Sequence, residues 1–541
     1  MIAFAALTGP LPKVGVVLVA LFVAAALLAP ERRQRALAML GALVLSPVLL
    51  LSDIWSSPQL RLVHRHPLFA LVGAVLAVAV LVAAARLIAR RPTVLGPLAV
   101  LALPFRIPIQ AGGTTSNLLV PLYLVVAAGA LAWIVPALGG RWGAAASGRA
   151  TDPDRTDASG RAEEPDRIDA PDATAATDGS GGWAVWVQRL LALYVVLYGL
   201  QSVYSPDFEK ALQTMVFFYV PFALLYLLLR DLRWTPEMVR NCLRLIIVLA
   251  VVFSAIGFVE YATKTIILNP TLVVANDLHT YFTVNSVFFD PDIFGRFLAL
   301  AMILVAVLLL YERPQREQLI ASIVLAILWA CLVLTLSRSS LGALLVGLGV
   351  LAALRWKPSR ALVAAVVVIA LGAAAVALSP GTFGLNQGIN GASSGRGGLV
   401  SGGLSLFSER PVWGYGSGSF TTEYRAHHHA TATSLSASHT IPVTIAAEQG
   451  LIGELAYVAL VAAALVCLLR RARGDPVRAA IAAAFAALVF HTMLYADFLE
   501  DPVTWTLLGV GVSLAASLPV RTAASGAVGR GPRTRTTAAR P

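Results

Sequence analysis

Charge is scarce in this sequence: only 13% of its 541 residues are Asp, Glu, Lys or Arg, against 58% hydrophobic, and the mean hydropathy is +0.77. So little charge cannot cover the surface of a soluble domain, and the composition places the chain among integral membrane proteins. Cysteine is scarcer still. Cys242, Cys331 and Cys467 lie far apart, within or beside apolar runs, which excludes a CxxC metal site and a disulfide framework and leaves core packing as their role. The apolar runs lack alternating polarity, which excludes the strands of a membrane barrel. Helices remain, because backbone amides in hydrocarbon must bond within their own segment. A clustered basic soluble surface is also missing, so the pI of 9.9 does not point to nucleic acid. No small-residue cleavage site follows the apolar run after Lys13, and that run is expected to remain as a span. Short-period repeats and an inverted pair of broken helices are absent, which weakens a secondary-transporter reading without removing it.

Apolar stretches fall near 14–29, 37–52, 68–85, 93–104, 118–137, 184–202, 211–229, 243–262, 293–310, 319–336, 341–354, 361–379, 441–469, 479–496 and 503–519. Their lengths suit a bilayer core, so the expected fold is all-α: a polytopic integral membrane protein with about 12–15 transmembrane helices and one large extracytoplasmic loop domain. Lys and Arg concentrate in alternate gaps, with Arg32, Arg33 and Arg35, then Arg86, Arg90 and Arg91, then Arg230, Arg233, Arg240 and Arg244, and later Arg470, Arg471, Arg473 and Arg478. That bias sets those gaps in the cytoplasm and segment 380–440 outside. The expected organisation is N-terminal transmembrane helices over 1–138, a disordered cytoplasmic insertion over 139–183 and central transmembrane helices over 184–379. An extracytoplasmic catalytic loop over 380–440, C-terminal transmembrane helices over 441–519 and a disordered basic tail over 520–541 complete it. The insertion is rich in Ala, Asp, Gly, Arg and Ser and has too little apolar surface to repay ordering.

Segment 380–440 is a polar, glycine-rich island carrying Arg396, Arg410, Arg425 and His439, and polar loops on rigid scaffolds are where chemistry concentrates. Arg338, in LTLSRSSLGALL, sits in a very short outward turn; it is either a snorkelling helix-end arginine or a planar fork for a diphosphate. Arg296 lies four residues after Asp292, a spacing that allows a self-neutralised pair or a substrate contact. Arg396 stands among glycines in SSGRGGLVSGG. In SERPVWGYGSGSF, Arg410 precedes Gly414, Gly416 and Gly418, which are either turn makers or a backbone cradle whose amides approach an anion. His439 ends the island two residues before the next span, as a cap or as a base suited by its ordinary pKa to take a hydroxyl proton. The run His427, His428 and His429 reads as solvated rather than metal-binding.

LTLSRSSLGALL, then Arg396 with SERPVWGYGSGSF, then SHTIPVTIAAEQGLIGELAYVAL resembles the O-antigen ligase and Wzy-type polysaccharide polymerase superfamily over roughly 285–515. The chain supplies Arg338, Arg396, Pro411, Gly414, Gly416, His439, Glu448, Gly450 and Gly453 at that pattern's places. It departs with Thr440, where the family often has Asn, and with Asp292 in DPDIFG, where PN is common. The resemblance implies a membrane glycosyltransferase without cofactor or metal, located in the cytoplasmic membrane with its active loop outward. The implied donor is a polyprenyl-diphosphate-linked glycan, undecaprenyl diphosphate being the carrier, and the acceptor is a glycan, lipid or protein hydroxyl. Arg338 and Arg396 would hold the diphosphate and His439 would deprotonate the acceptor. Arg410, Gly414, Gly416, Gly418 and Arg296 would line the substrate site, with Glu448 orienting His439. A polysaccharide or lipid transporter or flippase, a metal-dependent oligosaccharyltransferase and an inert scaffold are the competing readings.

Overall fold

The computed structural model describes residues 10–54, 67–105, 107–111, 114–139, 180–266, 276, 282–311, 314–356, 359–360, 396–428, 438–495 and 497–516. Helices α1 (Pro10–Leu28), α2 (Arg32–Ile54) and α3 (Pro67–Arg90) come first; a short α4 (Leu95–Ala102) and a two-stranded antiparallel hairpin, β1 (Ile107–Ala111) with β2 (Thr114–Leu118), lead to α5 (Val120–Leu138). Next come α6 (Ser180–Ser202), α7 (Phe208–Arg230), α8 (Pro236–Thr263), α9 (Pro291–Leu310), α10 (Gln315–Leu334) and α11 (Arg338–Arg355). Two short helices, α12 (Arg396–Glu409) and α13 (Phe420–His428), precede α14 (Ile441–Leu469), α15 (Pro476–Thr492) and α16 (Pro502–Ala516). Among the described residues, eleven helices are long and apolar enough to cross a membrane, and three more apolar helices are shorter. The chain is an all-α polytopic membrane protein, with one small hairpin outside that rule. The apolar run at 361–379, most of the insertion at 139–183 and the tail from 520 lie outside the described residues.

Each span starts where its sequence supplies a stop for the preceding chain and partners for the first amides. Thr235, Asp290, Asp475 and Asp501 each accept a hydrogen bond from the next turn, and each is followed by proline, which lacks the amide that a helix start cannot satisfy. Ser337 caps α11 in the same way, accepting from the Ser340 amide. Packing inside the bundle relies on small residues, since lipid is as apolar as leucine and close backbone approach must do the work. The alanine-rich α15 lies against α11 and α9, and α9 and α7 are the most enclosed spans.

The two ends of the bundle differ in charge. At one end Arg35 pairs with Asp231 at 3.1 Å, Arg32 lies over the Trp133 ring, Arg355 donates to the Leu310 carbonyl and Arg473 to the Ala353 carbonyl. At the other end are Asp207, Asp290, Asp292, Asp497, Glu500 and Asp501, the start of α11 and the residues around His439. The segment read from sequence as a loop contains α12 and α13. Helix α12 (RGGLVSGGLSLFSE) forms despite four glycines, each costing roughly 1 kcal/mol in a helix interior, because Leu399 and Leu406 are buried in its packing against α14.

Candidate active site

Helix α14 is broken where the sequence reads EQG. Gly450 has φ +64°, a left-handed conformation that interrupts the helix and strands the carbonyls and amides around it inside an apolar span. The segment from Pro411 to Phe420 supplies the missing partners. Tyr415 N donates to Ala447 O at 3.1 Å, Gly416 N to Glu448 O at 2.7 Å, and Leu451 N returns to Pro411 O at 2.8 Å. Gln201, at the end of α6, donates to Gln449 O at 3.1 Å, and Tyr204 donates to Trp413 O at 2.7 Å. Ser417 reaches the Tyr198 carbonyl at 2.9 Å.

These bonds correct the cradle reading of the glycines. The Gly414 amide donates to Arg410 O at 3.0 Å, the Gly416 amide to Glu448 O, and the Gly418 amide to the Glu448 carboxylate at 2.8 Å, so all three are committed within the protein. Their glycine identity is set by approach distance. A Cβ on Gly414 would stand 2.3 Å from Glu448 O, and one on Gly416 2.6 Å from Ser205 Cα. Glu448 is likewise reassigned: its second oxygen accepts from Phe420 N at 3.0 Å, so the carboxylate fastens the segment to α14 where the sequence suggested a partner for His439.

His439 has φ +59° at the junction between the polar segment and α14, a backbone conformation that a side-chain-bearing residue rarely holds. Ser438 is fully buried and tightens this turn through its hydroxyl, which donates to Thr440 O at 2.7 Å. The His439 ring lies 5.9 Å from the Tyr495 ring, and Tyr495 lies 5.7 Å from the His491 ring. His491 Nε2 is 3.2 Å from Ser339 Oγ and 3.3 Å from Ser340 Oγ. Ser339 in turn donates to Asp292 at 3.1 Å, and Ser337 also hydrogen-bonds Asp292. Arg338 is exposed within this serine turn, so a continuous set of ring and hydroxyl contacts joins its helix start to His439. Arg396 opens α12, and its side chain lies outside the described residues.

Arg296 is buried, and its guanidinium meets Asp501 at 3.0 Å. Its charge is therefore balanced by the cap of α16, a partner that the i, i+4 spacing to Asp292 did not indicate, and this correction makes Arg296 a brace between α9 and α16 rather than a substrate contact. Arg410 is exposed and lies 4.3 Å over the Tyr415 ring, whose hydroxyl donates to Glu409. His427 is not merely solvated: its Nε2 is 3.2 Å from Glu409 and its Nδ1 2.9 Å from the Glu423 carbonyl. Among the described residues, no three His, Cys, Asp or Glu side chains are grouped to hold a metal ion. Sequence reading missed Gln201, Asp290, His491 and Tyr495. Of these, only His491, a histidine inside an apolar run, carried a local signal.

Asp290, capping α9, is pushed up to about 6 by burial and by the neighbouring Asp292, partly offset by hydrogen bonds from the Asp292 amide and the Tyr495 hydroxyl. A carboxyl whose folded pKa is raised binds its proton more tightly when folded, so it costs stability as pH rises from about 4 to 6 and above. Asp290→Asn keeps the cap and should therefore raise stability at pH 7 by on the order of 2 kcal/mol, with the gain vanishing near pH 4 in melting curves of the solubilised protein. Gly414→Ala should lower stability by about 1–3 kcal/mol from its left-handed φ alone, with further loss from contact with the Glu448 carbonyl; an unchanged melting temperature would refute the stitching described above.

Residues 323–458, about a quarter of the chain, match the family model described as O-Antigen ligase, an enzyme class. No curated protein matches the chain. The matched region runs from the middle of α10 through the serine-arginine turn, the polar segment, His439 and the break in α14. Over that region the chain is similar to the O-antigen ligase family.

Proposed function

We propose that this protein is a glycosyltransferase of the cytoplasmic membrane, moving glycan from a polyprenyl-diphosphate-linked donor to an acceptor hydroxyl at the outer face. The observation that carries the reading is the arrangement around His439. An imidazole at a fixed, unusual backbone position is joined through Tyr495, His491 and Ser339 to the turn that presents Arg338. A base and an always-charged guanidinium at the same end of a membrane bundle suit an acceptor hydroxyl and a lipid diphosphate meeting at the headgroup level.

In this mechanism Arg338 and Arg396 grip the diphosphate and neutralise the charge that grows on it as the glycosidic bond breaks, an electrostatic contribution that is large where water is sparse. His439 takes the proton of the acceptor hydroxyl as its oxygen attacks the anomeric carbon opposite the departing diphosphate. A single displacement of this kind inverts configuration and needs no covalent enzyme intermediate. Arg410, which lies over Tyr415, contacts the donor beyond the diphosphate in this reading. The chemistry is the same whether the acceptor is a growing glycan, a lipid or a protein. The bias of arginines toward the opposite end of the bundle supports a cytoplasmic placement of that end and an outward placement of the site.

Reconstituted with a polyprenyl-diphosphate-linked oligosaccharide, His439→Ala should lose about 10²–10⁴-fold in turnover, and Arg338→Ala and Arg396→Ala about 10²–10³-fold each, with chelator leaving the wild type unaffected. Full turnover in all three variants would remove the site; loss on chelation would favour a metal-dependent oligosaccharyltransferase. Because Cys242, Cys331 and Cys467 are all buried, single added cysteines report orientation cleanly. A membrane-impermeant maleimide applied to intact cells should label Ser408→Cys and spare Arg233→Cys, and the reverse pattern would invert the proposed topology.

A further inference from the structure

Beneath the first turn of α14 is a cavity of about 180 Å³ that contains none of the arginines discussed above. Its walls come from α6, α7, α14 and the turn between α15 and α16, and Ile441 and Thr444, on the helical turn that His439 precedes, form part of them. At roughly 30 Å³ per water it has room for about six waters. Lys210 is exposed and also lines the cavity, so the space is reachable from the site end of the bundle.

Its chemistry is specific. Thr214, Gln449 and Tyr457 all line it and are at most 2% exposed; Thr214 lies against Tyr198 and Tyr457 against Thr492, while the Gln449 side-chain oxygen has no hydrogen-bond partner among the described residues. A buried polar oxygen left so costs about 1–3 kcal/mol, and beside the Lys210 and Glu500 side chains on the same space it points to an occupant that bonds it. Glu448, Asp497 and Glu500 face Lys210 across the same space. One ammonium beside three carboxyl groups leaves no surplus positive charge to hold a diphosphate or a uronic acid. Donors and acceptors are mixed, which suits hydroxyl groups better than a bare cation. The Tyr219 ring, packed edge-on 4.6 Å from Tyr198, adds an aromatic wall and belongs to a five-residue π-helical stretch, Met215–Tyr219, of a kind frequently found at functional sites.

We infer that this cavity is a saccharide subsite that takes one uncharged pyranose ring of the acceptor and holds its hydroxyls against Gln449, Tyr457 and Glu500, along the helix that His439 precedes. The acceptor role rests on the proposed function of His439; the binding itself does not. The dimensions admit one ring and not two, so the terminal sugar alone enters. An acceptor glycan whose terminal residue carries a carboxylate finds no unbalanced cation in the walls to hold it.

The test is saturation-transfer NMR on the full chain in nanodiscs, with methyl glycosides of glucose, galactose, mannose and N-acetylglucosamine and with methyl glucuronide as the anionic counterpart. At least one neutral glycoside should bind and the glucuronide should not. Glu500→Gln and Gln449→Leu should each weaken binding by about tenfold, the loss of one hydrogen bond to a buried partner. His439→Ala should abolish transfer while leaving glycoside binding within about twofold of wild type, since one missing imidazole outside the cavity removes no bond to the ring, which separates failure of the subsite from failure of the proposed base. Melting curves establish that each variant is folded, and Glu500→Gln, at a partly exposed position, decides the matter if Gln449→Leu is not. Absence of binding by every neutral glycoside, or binding unaltered in Glu500→Gln, would mean that the cavity holds water only and overturns the inference.

Discussion

The constraint on which the rest depends is that a helix cannot be interrupted in an apolar span unless other backbone or side-chain groups take over its hydrogen bonds. Gly450 interrupts α14, and the Pro411–Phe420 segment, with Gln201, replaces what is lost. This one repair explains a series of separate features. Glycine is required at 414 and 416 because two backbones approach within Cβ distance, and the Glu448 carboxylate points at amides because the segment needs fastening. His439 sits at a strained backbone position because the chain must turn sharply from the polar segment into the repaired helix.

The candidate site lies at the same end of the bundle. The rings of His439, Tyr495 and His491 and the hydroxyls of the serine turn come from three parts of the chain; Ser337 caps the helix of the serine turn, and the neighbouring helix starts are held by Asp290 at α9 and by Asp501 with Arg296 between α16 and α9. Breaking a buried ion pair by removing one partner typically costs about 3–5 kcal/mol, so the Arg296–Asp501 contact holds two helix ends in register without touching the chemistry. Rigid elements under a small number of polar side chains are what the proposed proton transfer and anion grip demand.

The spans were legible because bilayer length and uniform hydrophobicity are local properties of the sequence, and the runs at 293–310 and 341–354 fall almost where α9 and α11 begin and end. The polar segment was legible as a place and not as a structure: α12 is too rich in glycine to announce a helix, and only burial of Leu399 and Leu406 against α14 reveals why it forms. The break at Gly450 was hidden inside a continuous apolar run. Arg338 and His439 stood out because charge and imidazole are conspicuous beside hydrocarbon. Gln201 and Asp501 did not, since their partners lie 248 residues away in one case and on another helix in the other. No window of sequence holds such a pairing.

Gln201 carries one further implication. Its amide belongs to α6, far upstream of residues 323–458, yet it completes the hydrogen bonding of a helix within that region. The ligase-like portion is consequently not an autonomous module that could be excised or grafted. Exchange of this portion between relatives would leave an unsatisfied carbonyl in the bilayer unless the upstream helix travelled with it, so the two halves of the chain are bound to diversify together.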